Sequence, residues 1–372
     1  MKTLLIKAAG VADSKLNPYI SGVGRSTAML LDSLSRCKDL PFKIKVYASG
    51  TSSLYMDFSR WNFPHFSFPI PERRGILDYG LDAAFRHCFV KYDLLHIPHN
   101  DDNVWNNENF VVTMHDVFEY DNAVRDGNKR RKKRWEQMAY RSKGIITCSE
   151  FSKSVIVDRF GIDANKIDVA HWGIDTNLFY KESEEVVQRG IQRLGVRNPY
   201  FLSVSCSAPR KNIRTLLKAY RKFSQRQVNH QLVLVWGDPP QDILDEYAKE
   251  IEEGKIKFLS HVSDEDLRIL YSGASILMFP SRKEGFGFPI LEAFACETPV
   301  MTCRNTSLQE VGGDVALYVG EDSIDEMVDV MRFFENEQYD YLLFRQNAKQ
   351  RIGEFTWDKT ALKYVDFYYK YL

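Results

Sequence analysis

The 372-residue chain has no net charge, because 50 lysines and arginines stand against 50 aspartates and glutamates. No global field therefore draws it toward nucleic acid, and any basic patch has to be local. It also lacks any apolar run approaching the roughly 20 residues that cross a bilayer. Met1 to Ala9 has neither the length nor the cleavage pattern of a signal peptide, which points to the cytoplasm. Six cysteines (Cys37, Cys88, Cys148, Cys206, Cys296, Cys303) are scattered without C-x-x-C spacing. They support neither a disulfide framework nor a zinc site and read as reduced core residues. A third glycine is missing as well. Tyr19-Ile20-Ser21-Gly22-Val23-Gly24-Arg25-Ser26 follows the β-type run Lys2 to Ala8, but Thr27 stands where the G-x-G-x-x-G fingerprint needs glycine. A nicotinamide enzyme is disfavoured on that count.

What the chain does have is length for two cores and a regular alternation of apolar runs with helical stretches. Runs at Ile44 to Ala48, Leu94 to Pro98, Phe110 to Met114, Gly144 to Cys148 and Ile167 to Ala170 read as strands, with helices such as Ile76 to Phe89 between them. Helical periodicity after the glycine stretch begins at Ala28. The plan repeats at Tyr200 to Cys206, Leu232 to Trp236, Ile256 to Leu259, Ser275 to Pro280 and Val300 to Cys303. Such alternation predicts an α/β protein with two doubly wound parallel sheets, whose ligands collect outside the carboxyl ends of the strands. The expected domains are residues 1–180 and 181–354, with a terminal helix over 355–372.

The stretch Ser281 to Glu292 carries the chemistry. A buried strand runs into a glycine-bearing turn and then into a helix through Pro289, an arrangement that presents backbone N–H groups to an anion. Glu284 and Glu292 straddle the turn. Carboxylates repel phosphate, so their partners should be hydroxyls, and the vicinal hydroxyls of a sugar or ribose fit. Ser207 to Asn212 ends the second half's first strand with Arg210 and Lys211, two adjacent cations able to neutralise a diphosphate. His261-Val262 lies on the same rim, and Val262 is a candidate for backbone contact with a nucleobase. His115-Asp116 follows a strand of the first half, which makes His115 the histidine best placed for chemistry; a buried structural histidine is the competing reading.

The string E-G-F-G-F-P-x-L-E-A, followed by Ala295-Cys296-Glu297-Thr298-Pro299-Val300, resembles the signature of retaining GT-B glycosyltransferases of family 4. R-K-N at Arg210 to Asn212 and T-x-H-D ending at Asp116 resemble further signatures of that family. The resemblance implies the GT-B fold: two Rossmann-like domains, an interdomain cleft and a C-terminal helix crossing back to the first domain. It also implies donor-sugar contact by His115, a glycine loop at Gly22 and Gly24 facing the diphosphate, and a front-face mechanism without a metal ion. Glu284 would hold sugar hydroxyls and Glu292 the ribose. Arg210, Lys211 and the amides of Phe286, Gly287 and Phe288 would meet the departing diphosphate. Acceptor contacts would come from Tyr19 to Ser26 and Pro98 to Trp105.

Three other clusters deserve weighing. Lys129 to Arg134 is six consecutive basic residues, which reads as a solvated helix face, with contact to anionic lipid at the cytoplasmic membrane as the sharper alternative. His96 and His99 flank a strand end, but they lack a partner at metal-ligand spacing. Asp264-Glu265-Asp266 follows Ser263 and precedes Leu267, which makes it a capped helix start and not a metal motif. The expected activity is metal-independent transfer of a hexose, mannose favoured over glucose or N-acetylhexosamine, from a nucleoside diphosphate sugar to a glycan or lipid-linked acceptor. No cofactor and no nucleic acid partner are expected. A nucleotide-sugar epimerase or phosphorylase of the same fold, or a non-catalytic partner subunit, is the alternative.

Overall fold

A computed structural model of the chain describes residues 1–8, 22–50, 58–68, 76–100, 102, 104 and 107–372, with residues 76–80 described by their backbone alone. The chain divides into two compact units, Met1–Gly173 with Trp357–Leu372, and Ile174–Thr356. Of the acceptor loops expected from the sequence, residues 19–21, 101, 103 and 105 lie outside the described residues.

The first unit is built on seven described strands: β1 (Thr3–Lys7), β2 (Lys43–Ser49), β3 (His65–Phe68), β4 (Leu94–Ile97), β5 (Phe110–Thr113), β6 (Ile145–Thr147) and β7 (Ile167–Val169). They pair in parallel in the order β3-β2-β1-β4-β5-β6-β7, so the order reverses between β1 and β4. Leu4, Leu5, Leu94, Leu95, Val111 and Val112 are fully buried, as strands covered on both faces by helices must be. The covering helices are α1 (Gly22–Arg36), α2 (Ile76–Phe89), α3 (Phe118–Arg125), α4 (Lys129–Arg141) and α5 (Glu150–Phe160). Ser149 Oγ accepts the Ser152 N–H at 3.0 Å to cap α5, and Gly161 closes that helix at φ 61°.

One expectation is corrected here. The helix anticipated from Ala28 begins at Gly22, so Gly22 and Gly24 belong to its first turns and not to a loop. Ser26 Oγ and Thr27 Oγ1 both donate to the Val23 carbonyl at 2.9 Å, and both side chains are buried. That polar face is invisible to a count of apolar periodicity.

The second unit holds β8 (Tyr200–Ser205), β9 (Gln231–Trp236), β10 (Ile256–Leu259), β11 (Ile276–Phe279), β12 (Val300–Cys303) and β13 (Leu317–Val319), all parallel, in the order β10-β9-β8-β11-β12-β13. Here the order reverses between β8 and β11. Between and after the strands run α6 (Glu184–Arg193), α7 (Ile213–Phe223), α8 (Gln241–Glu246), α9 (Ala248–Glu252), α10 (Asp264–Gly273), α11 (Phe288–Ala295), α12 (Thr306–Gly312), α13 (Ile324–Glu335) and α14 (Tyr341–Ile352). The acidic start of α10 is a cap: Ser263 Oγ accepts the Asp266 N–H at 3.1 Å. A buried apolar cluster of this unit includes Phe201, Leu216, Leu234, Met278 and Met331.

The chain ends with α15 (Trp357–Tyr371), which belongs to the first unit. Thr360 Oγ1 donates to the His171 carbonyl at 2.6 Å. A buried polar chain then joins the helix to the sheet: Tyr368 hydroxyl to His96 Nδ1 at 2.8 Å, His96 Nε2 to Thr113 Oγ1 at 2.8 Å, and Thr113 to the Tyr364 hydroxyl at 3.0 Å. No helix among the described residues is long and apolar enough to cross a membrane. Cys148, Cys296 and Cys303 are buried, whereas Cys88 and Cys206 are exposed and so depart from the expectation of core cysteines.

Burial pushes His96 down to about 3 and His115 down to about 4, from an ordinary value of 6.5. Both imidazoles are therefore neutral in the folded chain, while the unfolded chain binds protons below 6.5. Stability is full above that value and falls as the pH drops toward 4, by about 1.4 kcal/mol for each unit of depression once the folded value is passed. Urea unfolding across this window should show the loss beginning near pH 6.5; a midpoint that stays flat until the carboxylate range contradicts the assignment.

Candidate functional site

The reversal between β8 and β11 is where an open parallel sheet forms a crevice at its carboxyl edge. β8 leads to a 3-10 turn over Pro209–Lys211, and Asn212 follows in the left-handed region at φ 60° before α7 begins. Asparagine accepts that conformation more readily than most residues. Its side-chain amide also donates to the carbonyls of Pro280 at 3.1 Å and Glu321 at 2.6 Å. The loop after β11 reaches back: the Arg282 N–H donates to the Arg210 carbonyl at 2.7 Å, and Ser281 Oγ lies 3.1 Å from the same oxygen. Two loops separated widely in sequence are thus laced into one platform.

Arg210, Lys211 and Glu284 meet on this platform. Lys211 Nζ donates to Glu284 Oε1 at 2.7 Å, Ser281 Oγ donates to the same oxygen at 2.7 Å, and Arg210 Nη1 donates to Oε2 at 2.8 Å. Burial alone would raise the Glu284 carboxyl, but the charges of Lys211 and Arg210 outweigh it and hold the group below its ordinary 4.5. A carboxylate offers about four acceptor directions, so three donors leave room for about one more. The sequence expectation paired Glu284 with sugar hydroxyls. In the structure its partners are protein donors, because the platform brings both cations within contact of a buried anion.

The bend that follows is held from below. Ser307 Oγ lies 2.9 Å from the Glu284 carbonyl and 2.8 Å from that of Phe286. Gly287 sits at φ 117°, and a Cβ there would come within 3.1 Å of Leu308 Cδ2, so conformation and space both call for glycine. The Phe286 ring is buried, 5.4 Å from the Phe288 ring and 6.0 Å from that of Phe355. Helix α11 then starts at Phe288. Pro289 has no N–H, and the Ile290 N–H is spent on the Gly287 carbonyl at 3.0 Å, so neither position offers an amide to an anion. Glu292 lies one turn into α11, buried, and accepts the Tyr271 hydroxyl at 2.9 Å. Val262 follows β10, the edge strand two places from β8.

In the first unit His115 stands just beyond β5. Its N–H donates to Asn100 Oδ1 at 2.9 Å, its carbonyl accepts from Ser152 Oγ at 3.0 Å, and its ring lies 5.0 Å from that of Trp172. Nε2 donates to the Pro98 carbonyl at 2.9 Å, which fixes the tautomer and leaves Nδ1 as a buried acceptor without a partner. The basic run Lys129 to Arg134 forms the first turns of α4, whose buried face is Trp135, Met138 and Ala139. Arg131 pairs with Glu119 at 2.7 Å and Lys132 pairs with Glu136, the pattern of a solvated helix face. His96 spends both ring nitrogens on Thr113 and Tyr368. Among the described residues no three His, Cys, Asp or Glu side chains converge as a metal site would require.

Several contributors went unnoticed in the sequence. Ser281 had a local signal, since it precedes Glu284 by three residues in the S-x-x-E pattern. Ser307 and Tyr271 had none, because each acts on a residue about twenty positions away.

Two family models match the chain: Glycosyltransferase Family 4 over residues 20–178 and Glycosyl transferases group 1 over residues 187–351. The O-antigen chain mannosyltransferase B of Escherichia coli is 28% identical over 271 residues, 70% of either chain. The O-antigen chain mannosyltransferase RfbU of Salmonella typhimurium is 31% identical over 227 residues, 57% of this chain and 59% of that one. Among solved structures, a glycosyltransferase from Rickettsia africae superposes with a TM-score of 0.72 at 16% identity, over 100% of this chain and 98% of that chain. Anabaena HepE in complex with UDP-glucose gives 0.71 at 19% identity over 100% of both chains. Likeness at that level of identity establishes the fold, two Rossmann-like domains of the GT-B type. With its two halves matched by the two models, the chain belongs to the family 4, group 1 glycosyltransferases and is an enzyme of hexosyl transfer.

Proposed function

We propose that this enzyme moves mannose from GDP-mannose to a glycan or lipid-linked acceptor, with retention of anomeric configuration and without a metal ion. The observation that carries the reading is the convergence of Arg210 and Lys211 on a single buried carboxylate at the strand-order reversal of the second sheet. When the bond between the anomeric carbon and the phosphate oxygen breaks, the electron pair leaves with the nucleoside diphosphate. A guanidinium fork and an ammonium held together at this edge stabilise that charge as it develops. As the diphosphate draws on both cations, acceptor directions on Glu284 open toward hexose hydroxyls. Glu292, steadied by Tyr271, takes the ribose, and the backbone at Val262 takes the base. The buried Nδ1 of His115 suits a sugar hydroxyl, since it is an acceptor awaiting a donor.

Support for mannose comes from the names of the relatives. UDP-glucose and UDP-N-acetylhexosamines are the competing donors, and an epimerase or phosphorylase is the competing chemistry. Incubation with each nucleotide sugar and a glycan acceptor, followed by NMR of the product's anomeric proton, separates all of these. An α-linked mannoside is the expected product; an inverted linkage, or an epimerised or phosphorolysed donor, refutes the reading.

Replacing Lys211 by Ala should lower turnover about a hundredfold or more while donor affinity changes far less, because its role grows as charge develops. Equal losses in kcat and in donor binding would reduce it to a ground-state contact. Treatment with EDTA should leave the transfer rate unchanged, and loss of activity on chelation would overturn the metal-free mechanism.

A further inference from the structure

The first sheet has its own reversal point, between β1 and β4, and a buried ionic chain fills it. Lys7, the last residue of β1, donates to Asp82 Oδ2 at 2.7 Å and to Asp102 Oδ2 at 2.6 Å. Arg86 donates to Asp82 Oδ2 at 3.0 Å and spans both oxygens of Glu108 at 2.9 and 3.1 Å. The Tyr47 hydroxyl donates to Asp82 Oδ1 at 2.6 Å. All five ionised groups are buried. Chains of this kind seldom stabilise a fold better than apolar residues of the same volume would. One at the carboxyl edge of a parallel sheet, where ligands gather, therefore calls for a functional account. Two cations against three carboxylates leave the group with one negative charge, and Asp102 is the carboxylate that His99 approaches.

At the rim stands His99, its Nε2 3.3 Å from Asp102 Oδ2 and its side chain 20% exposed. The segment that carries it is pinned to the end of β5: His115 Nε2 donates to the Pro98 carbonyl at 2.9 Å, and the Asn100 side chain accepts from the His115 N–H at 2.9 Å and donates to the Asp116 carbonyl at 3.3 Å. The contact lies outside hydrogen-bond geometry, so it is the negative charge of Asp102 beside Nε2 that favours the proton there and leaves Nδ1 as an acceptor. His115 carries the same tautomer, with a buried and unpartnered Nδ1. Adjoining strand ends thus present two oriented imidazoles that both accept and cannot both be satisfied by each other. Hydroxyl donors are the matching chemistry, and a polyhydroxylated ligand supplies more than one.

We propose that His99, oriented by Asp102 and the buried Lys7, holds a hydroxyl of the acceptor glycan, with Asp102 and Lys7 as its positioning residues. The proposal rests on the transferase reading and adds an acceptor-side residue to it. The probe is octyl α-D-mannopyranoside, with binding followed by isothermal titration and transfer followed with GDP-mannose as donor. In His99→Ala the glycoside should bind about tenfold more weakly and its KM should rise to match, while the donor KM moves less than about twofold. His99→Gln, whose amide oxygen restores an acceptor, should recover most of that loss. Because His99 lies at the rim, both variants should melt with the wild type. Unchanged glycoside binding in His99→Ala, a joint rise of donor and acceptor KM, a Gln variant no better than Ala, or a wild type that does not bind the glycoside each overturns the proposal. Glycoside binding that depends on His99 in a wild type unable to use GDP-mannose upholds it and refutes the donor reading instead.

Discussion

A carboxylate buried as deeply as Glu284 resists ionisation, and it stays charged because Lys211 Nζ and Arg210 Nη1 lie 2.7 and 2.8 Å from its oxygens. Each of the three groups is expensive to desolvate alone, so removing any one exposes the others to an uncompensated cost. The surrounding hydrogen bonds follow from this constraint. Ser281 occupies a further direction on the carboxylate, Asn212 and the Arg282 amide bind the two loops to each other, and Ser307 holds the carbonyls of the bend. The Gly287 conformation completes a turn that delivers Glu284 and the start of α11 to the edge of the same sheet.

The first sheet solves a similar problem with different residues. Its reversal point is also occupied by a lysine between carboxylates, Lys7 between Asp82 and Asp102. Burial alone would lower Lys7, yet the two aspartates reverse that and raise it, so the ammonium stays charged. The consequence differs, however. In the second unit the cations themselves reach the rim, which suits an anionic ligand; in the first, the cation is sunk and an imidazole reaches the rim, which suits a neutral hydroxyl. Hexosyl transfer needs groups of both kinds.

Strands such as β1, β5, β8 and β11 are legible in the sequence because they are buried on both faces and read as unbroken apolar runs. β3 is not, since its residues are largely exposed at a sheet edge, and β13 has only three residues. Helix α6 hides in a charged segment with Val187 and Ile191 as its main apolar stripe. At the site, the residue types were legible and the pairing was not. The acidic and basic residues were assigned separate partners, whereas Arg210 and Glu284, 74 positions apart, bond each other. No local pattern reports such a contact. His99 was weighed by itself as a metal partner of His96 and otherwise only as one residue of the acceptor segment Pro98 to Trp105; its relation to Asp102 and Lys7 depends on β1 and β4 being neighbours, which is a property of topology.

The central claim is that Glu284 and the diphosphate of the donor compete for the same two cations. Calorimetric titration of GDP into the wild-type chain and into Glu284→Gln tests it most directly, because glutamine keeps the shape and removes the charge. Relief of the competing anion should tighten GDP binding by at least about tenfold, a difference of about 1.4 kcal/mol. Equal or weaker binding by the variant would contradict the account, since Arg210 and Lys211 would then not be the groups that grip the phosphates.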